Sequence, residues 1–212
     1  MSARSLEQAI ARILELTGRP NPPSQQAWLV LTVGLPGSGK STFCRKLARA
    51  TGALILESDA LRAALFQPAT HDKDESRQLF EALYGAARVL LREGASVIVD
   101  ATNLREPDRR PAYDAAEATS AGLLILHFRV PHRVIAERLA LRDRRSDPED
   151  RSAAGMAVYT KMAETEQPVS REHWQIDTSD AESTETALQR AIEILRPRRS
   201  TAERQDTGGN IS

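Results

Sequence analysis

Leu29-Val-Leu-Thr-Val-Gly-Leu-Pro-Gly-Ser-Gly-Lys-Ser-Thr42 is an apolar run that stops at a glycine-rich turn. A helical pattern then begins, with Thr42, Phe43, Leu47 and Ala48 on its spacing. Strand, loop and helix in that order fit the phosphate-binding pattern GxxxxGK[ST], in which backbone N–H groups and a helix N-terminus surround a chain of phosphates. Each residue type has a physical reason to be there. Gly34, Gly37 and Gly39 permit close backbone approach, Lys40 meets the β- and γ-phosphates, and the Ser41 hydroxyl reaches Mg²⁺. Gly34, Leu35, Pro36, Gly37, Ser38, Gly39, Lys40, Ser41 and Thr42 are therefore the expected nucleotide-binding set. The bare pattern arises by chance in on the order of one chain in a hundred of this length, and its placement between a strand and a helix lowers that further.

Working outward, further short apolar runs occur at Ala53 to Leu56, Ser96 to Val99, Leu123 to Phe128 and Trp174 to Thr178. They alternate with helical segments near 58–66, 74–93, 105–120, 131–144 and 183–195. Asp147-Pro148-Glu149-Asp150 reads as the start of another helix running to about Glu166. Such alternation predicts an α/β fold with about five parallel strands and helices on both faces. The expected organisation is an N-terminal helix and proline-containing linker over 1–26, a nucleotide-binding domain over 27–197, and a disordered polar tail over 198–212. In the N-terminal helix, Ser5 to Gln8 reads as a capping box, with Gly18 at the end.

At 212 residues the chain is long enough for one domain with a sizeable core. Its net charge is zero, so no whole-molecule field draws it toward nucleic acid or an anionic membrane. Cys44 is the single cysteine, which excludes an intrachain disulfide and reads as a small buried thiol. The four histidines, His71, His127, His132 and His173, show no metal-ligand spacing. The first residues carry charges through their apolar positions, and no stretch approaches about eighteen apolar residues. A cytoplasmic setting without membrane association is expected.

Binding a nucleotide leaves open what receives the phosphate. Asp59 and Arg62 stand three apart at a helix start, just past the second strand, so they share a face near the phosphate loop. Asp59 is the candidate base for an acceptor hydroxyl, and Arg62 the candidate grip on the acceptor; as plain first-turn residues they would only serve the helix dipole and solvent. The third strand delivers Asp100, a candidate Mg²⁺ contact beside Ser41, and then Asn103, a candidate substrate contact. Arg138 and Arg142 lie four apart on one helix stripe. That stripe is either a solvated face or part of a mobile helical lid over about 138–165 that brings both arginines onto the nucleotide.

In order and spacing, GLPGSGKST (34–42), SDALR (58–62), VIVDATN (97–103) and Arg138-Leu-Ala-Leu-Arg142 resemble P-loop kinases of the polynucleotide 5′-hydroxyl kinase type. These lie within a broader group of small ATP-dependent kinases with AAA-type ATP binding that includes zeta-toxin-like and antibiotic phosphotransferase proteins. The resemblance covers about residues 28–180 and implies a kinase-type P-loop NTPase fold with a lid. It also implies ATP as donor, Mg²⁺, and Lys40, Ser41, Asp59, Arg62, Arg138 and Arg142 as the residues that carry transfer. A polynucleotide 5′-hydroxyl end is the most specific acceptor it suggests. A metabolite or antibiotic hydroxyl is the alternative within the same chemistry, and a non-catalytic ATP-binding switch is the alternative outside it.

Overall fold

In the computed structural model, which describes residues 3–19, 26–143 and 159–196, five parallel strands form one sheet in the order β2-β3-β1-β4-β5. β1 is Trp28–Val33, β2 Leu54–Glu57, β3 Val97–Asp100, β4 Gly122–Phe128 and β5 Trp174–Ile176. β1 lies at the centre, with Leu29 opposite both Val97 of β3 and Leu123 of β4. Its alternate side chains feed two cores, as the two-residue period of a strand requires.

Leu29, Leu31 and Val33 point into one core, together with helices α4 (Lys73–Arg92) and α5 (Glu106–Ala118). Val30 points into the other, built with α2 (Lys40–Thr51) and the C-terminal helix α7 (Ala181–Leu195) through Phe43, Leu47, Leu188 and Ile192. Helices on both faces of an all-parallel sheet confirm the expected P-loop NTPase, kinase-type fold. Two further helices, α3 (Ser58–Leu65) and α6 (His132–Asp143), lie at the carboxyl edge of the strands.

α1 (Ala3–Thr17) lies outside α4, with Ile13 buried and Leu6, Ile10 and Leu14 packed on the core. The seat is Gly85 of α4, where an added Cβ would stand 2.5 Å from Cδ1 of Ile10. Because the helix is already formed at Ala3, Ser5 lies in its first turn and is not the N-cap residue the capping-box pattern suggests. Gly18, in the left-handed region at φ 81°, ends the helix as expected.

β5 is shorter than its apolar pattern. Asp177 turns the chain, its Oδ1 accepting from the Ser179 amide at 2.8 Å, and this leaves Thr178 out of the strand. Cys44 is buried as expected, and burial pushes its thiol well up. His127 is a core histidine: its Nε2 lies 2.8 Å from Oε1 of Glu166. The proline linker over 20–25, the helix start at Asp147 and the tail from Arg198 fall outside the described residues. Among the described residues, no helix is long and apolar enough to cross a membrane.

Candidate active site

The phosphate loop leaves β1 at Gly34, whose φ of 146° and contact with the Phe128 carbonyl, 2.7 Å from where a Cβ would stand, admit only glycine. It enters α2 at Gly39, φ 89°, where a Cβ would stand 2.8 Å from Oγ1 of Thr178. Lys40 arches back over the loop, its Nζ donating to the carbonyls of Gly34 and Leu35 at 2.9 Å each. Only 7% of Lys40 is exposed, and this burial lowers its pKa against the opposing pull of Asp100. The first-turn amides of α2 have no helical partner by construction, and Lys40, Ser41 and Thr42 line the cavity beside the loop.

Asp100 closes β3 next to that loop and is 4% exposed. Burial raises its pKa; the Ser41 hydroxyl, hydrogen-bonded to it, and the Lys40 charge act in the opposite sense. A buried carboxylate bonded to a hydroxyl and without a salt-bridge partner among the described residues is an oxygen donor set that fits a hard divalent cation. Asp59, exposed in the first turn of α3, reaches the same edge, since its charge acts on both Lys40 and Asp100. Among the described residues, no group of three His, Cys, Asp or Glu side chains is arranged to hold a metal, here or elsewhere.

From the other side of the loop, Arg138 of α6 donates through Nη1 to the Gly37 carbonyl at 3.3 Å and to Oγ1 of Thr178 at 2.8 Å. Its Nη2 donates to the Thr178 carbonyl at 2.7 Å. Leu35 sits under α6 and the helical segment 159–163 in a small apolar cluster with Leu104, Ile135 and Tyr159. Thus Lys40, Ser41, Asp59, Asp100 and Arg138 come together at the carboxyl edge of the sheet, where open α/β sheets bind their ligands. The side chain of Arg142, along with residues 144–158 of the expected lid, lies outside the described residues.

Two candidate substrate contacts are already engaged within the protein. Arg62 is no free fork awaiting an acceptor: its Nη1 donates to Oε1 of Glu75 and its Nη2 to Oγ of Ser76 at 3.2 Å, and the pair is buried. Glu75 also accepts from the Thr70 and His71 amides, so Arg62 serves first to close the loop between α3 and α4. Asn103 is 2% exposed and turns inward, its Nδ2 donating to the Thr32 carbonyl at 2.8 Å. It joins the β3 exit to β1, while its Oδ1, buried without a partner, lies beside the cavity. Sequence reading missed Thr178, although a polar Asp177-Thr-Ser179 run just beyond a final strand was a signal for it.

These residues line one cavity of about 2300 Å³ that runs from the phosphate loop past Asp59 to a wall of Phe80 and Tyr84 on α4 and Pro107 and Pro111 on α5. The model of an AAA domain family matches residues 29–169. The chain belongs to this AAA domain family. No curated protein matches it. Among solved structures, the APS kinase of Mycobacterium tuberculosis in complex with AMPPNP and APS is similar at a TM-score of 0.57 and 20% identity, over 82% of this chain and 99% of that one. A gluconokinase from Sinorhizobium meliloti 1021 is similar at 0.54 and 21%, over 84% and 97%. A sugar kinase from Janibacter sp. HTCC2649 is similar at 0.56 and 18%, over 82% and 99%. These likenesses carry the fold of the domain.

Proposed function

We propose that the chain is an ATP-dependent phosphotransferase acting on the hydroxyl of a small molecule. The supporting observation is that one continuous cavity is lined by Lys40 and Ser41 of the phosphate loop, by Asp59, and by side chains of α4 and α5. A nucleotide switch needs only the part of that space beside the loop. Transfer also needs room for an acceptor within reach of a carboxylate.

In this reading the loop amides and Lys40 hold the β- and γ-phosphates, and Asp59 accepts the proton of the acceptor hydroxyl as its oxygen bonds to the γ-phosphorus. The bond from that phosphorus to the bridging oxygen breaks, and ADP leaves. Arg138, joined by Arg142, bears the charge spread over the migrating group. Ser41 and Asp100 would hold Mg²⁺, which supplies neutralisation of phosphate charge when bound.

A polynucleotide 5′-hydroxyl end, favoured by the sequence resemblance, is the second acceptor. Against it stand a net charge of zero and a cavity that sets Glu57, Asp72 and Glu81 among its cations, where a phosphate backbone calls for a basic track. The similar structures named as APS kinase, gluconokinase and sugar kinase weigh the same way. Transfer from γ-labelled ATP, screened against sugars, sugar acids, nucleosides, aminoglycosides and 5′-hydroxyl oligonucleotides, tests the assignment. Label in a small acceptor is the expected result, label only in oligonucleotides would restore the polynucleotide, and ATP hydrolysis with no labelled acceptor would return the chain to a switch.

A further inference from the structure

We infer that Thr178 is the positioning residue for Arg138, holding its guanidinium over the phosphate loop and tying that position to the loop backbone. The inference rests on the phosphotransferase reading above. Four hydrogen bonds meet here. Arg138 donates to both oxygens of Thr178, at 2.8 Å to Oγ1 and 2.7 Å to the carbonyl, and to the Gly37 carbonyl at 3.3 Å. The Thr178 hydroxyl in turn donates to the Ser38 carbonyl at 2.8 Å.

The direction of each bond is fixed by chemistry. A guanidinium only donates and a carbonyl only accepts, so the hydroxyl must accept a hydrogen bond from Arg138 and donate its own to the Ser38 carbonyl. One oxygen therefore joins α6, the end of β5 and the phosphate loop. Its placement is rigid: Thr178 is β-branched and stiff at χ1, and the turn before it is pinned by the Ser179 amide on Asp177 Oδ1 and the Thr184 hydroxyl on the Asp177 carbonyl at 3.2 Å. Gly39 is part of the same seat, because a Cβ there would stand 2.8 Å from the Thr178 oxygen.

These contacts use three of the five N–H groups of Arg138 and leave the others for an anionic ligand on the loop. A cation already seated where charge develops needs no reorganisation during transfer. Thr178 touches no reacting atom in this arrangement. Its effect is carried by Arg138.

The test is a cycle of Thr178→Val, Thr178→Ser and Arg138→Ala, with Thr178→Ala replacing the Val variant if that one does not fold. Two readouts are taken: kcat for phosphate transfer, and the preference for Mg-AMPPNP over Mg-ADP by titration calorimetry. Thr178→Val should lower kcat about 10- to 100-fold and shrink the AMPPNP preference about fivefold or more, while Thr178→Ser stays within about threefold of the parent in both. In the Arg138→Ala background, Thr178→Val should change either readout less than about twofold. Equal losses in both backgrounds, or a Ser variant as poor as Val, would overturn the inference. So would a Val variant equal to the parent. A parent chain that transfers no phosphate yet shows the AMPPNP pattern through Thr178 would sink the phosphotransferase reading and leave the positioning role standing.

Discussion

With its ammonium buried and bonded to two loop carbonyls, Lys40 is held by neutral acceptors, so a phosphate oxygen can draw it away without breaking a salt bridge. Lys40→Ala is expected to leave the circular dichroism spectrum of the fold intact and to cut transfer to below about one per cent, a loss of at least about 10². For Asp59, exposed and free of core packing, Asp59→Asn should lower kcat by about 10² to 10⁴ with little change in ATP affinity, measured by steady-state kinetics beside nucleotide titration. Normal transfer by that variant would remove Asp59 from the mechanism. Asp100 gives a pH-dependent prediction. Its folded pKa is raised by burial, so the group favours the folded state at low pH and this contribution is lost as pH rises through the folded value. Asp100→Asn should therefore raise the melting temperature of the ligand-free protein near pH 7 while abolishing Mg²⁺-dependent nucleotide binding. The gain should shrink as pH falls and vanish only well below about pH 4, where the carboxylate is also protonated in the unfolded chain.

Between elements, the junction of α3 and α4 depends on Glu75. Burial would push its carboxyl up, but the Thr70 amide and hydroxyl, the Arg62 guanidinium and the His71 amide hold it down at about 2. A depressed carboxylate stabilises the fold above its unfolded pKa, so this contribution is lost as pH falls from about 4.5 through about 2. Arg62→Ala strips one partner from a buried pair and should lower the melting temperature by roughly 6–12 °C. Loss of acceptor affinity at unchanged stability would show instead that Arg62 grips the acceptor. The outer contact of α1 is tested by Gly85→Val, which drives a branched side chain into Ile10 and should cost about 2–10 °C by overpacking. Most elements were legible because a strand such as β1, β3 or β4 is an apolar run closed by a polar or glycine turn, and helices such as α1, α3 and α4 repeat their apolar residues at 3.6, although α6 lacks that repeat. The partner of Arg62 was not legible. Glu75 lies thirteen residues on, across a loop whose path no periodicity specifies.

Over the whole molecule, parallel β1, β2, β3 and β4 all discharge their loops at one edge, so Lys40, Asp59 and Asp100, each just past an apolar strand run, could be expected on one side of the sheet from the sequence, whereas Arg138 was expected there from its helix stripe and the resemblance to kinases. Thr178 escaped the sequence reading, as did the hydrogen bond of Asn103 to β1, because the direction of a polar side chain at a strand exit is set by backbone turns, at φ 47° for Asn103, and not by its type. The joint cluster of Leu35, Ile135 and Tyr159 has a thermodynamic consequence. Leu35 is a phosphate-loop residue, so lifting α6 and the segment 159–163 away would strip apolar cover from the loop itself. Loop and cover are then linked by reciprocity: whatever factor a bound nucleotide adds to closure, a cover locked shut must add to nucleotide affinity. A cysteine pair that staples α6 to the loop should tighten equilibrium nucleotide affinity, and bound nucleotide should in turn raise the equilibrium protection of the Ile135 amide from exchange.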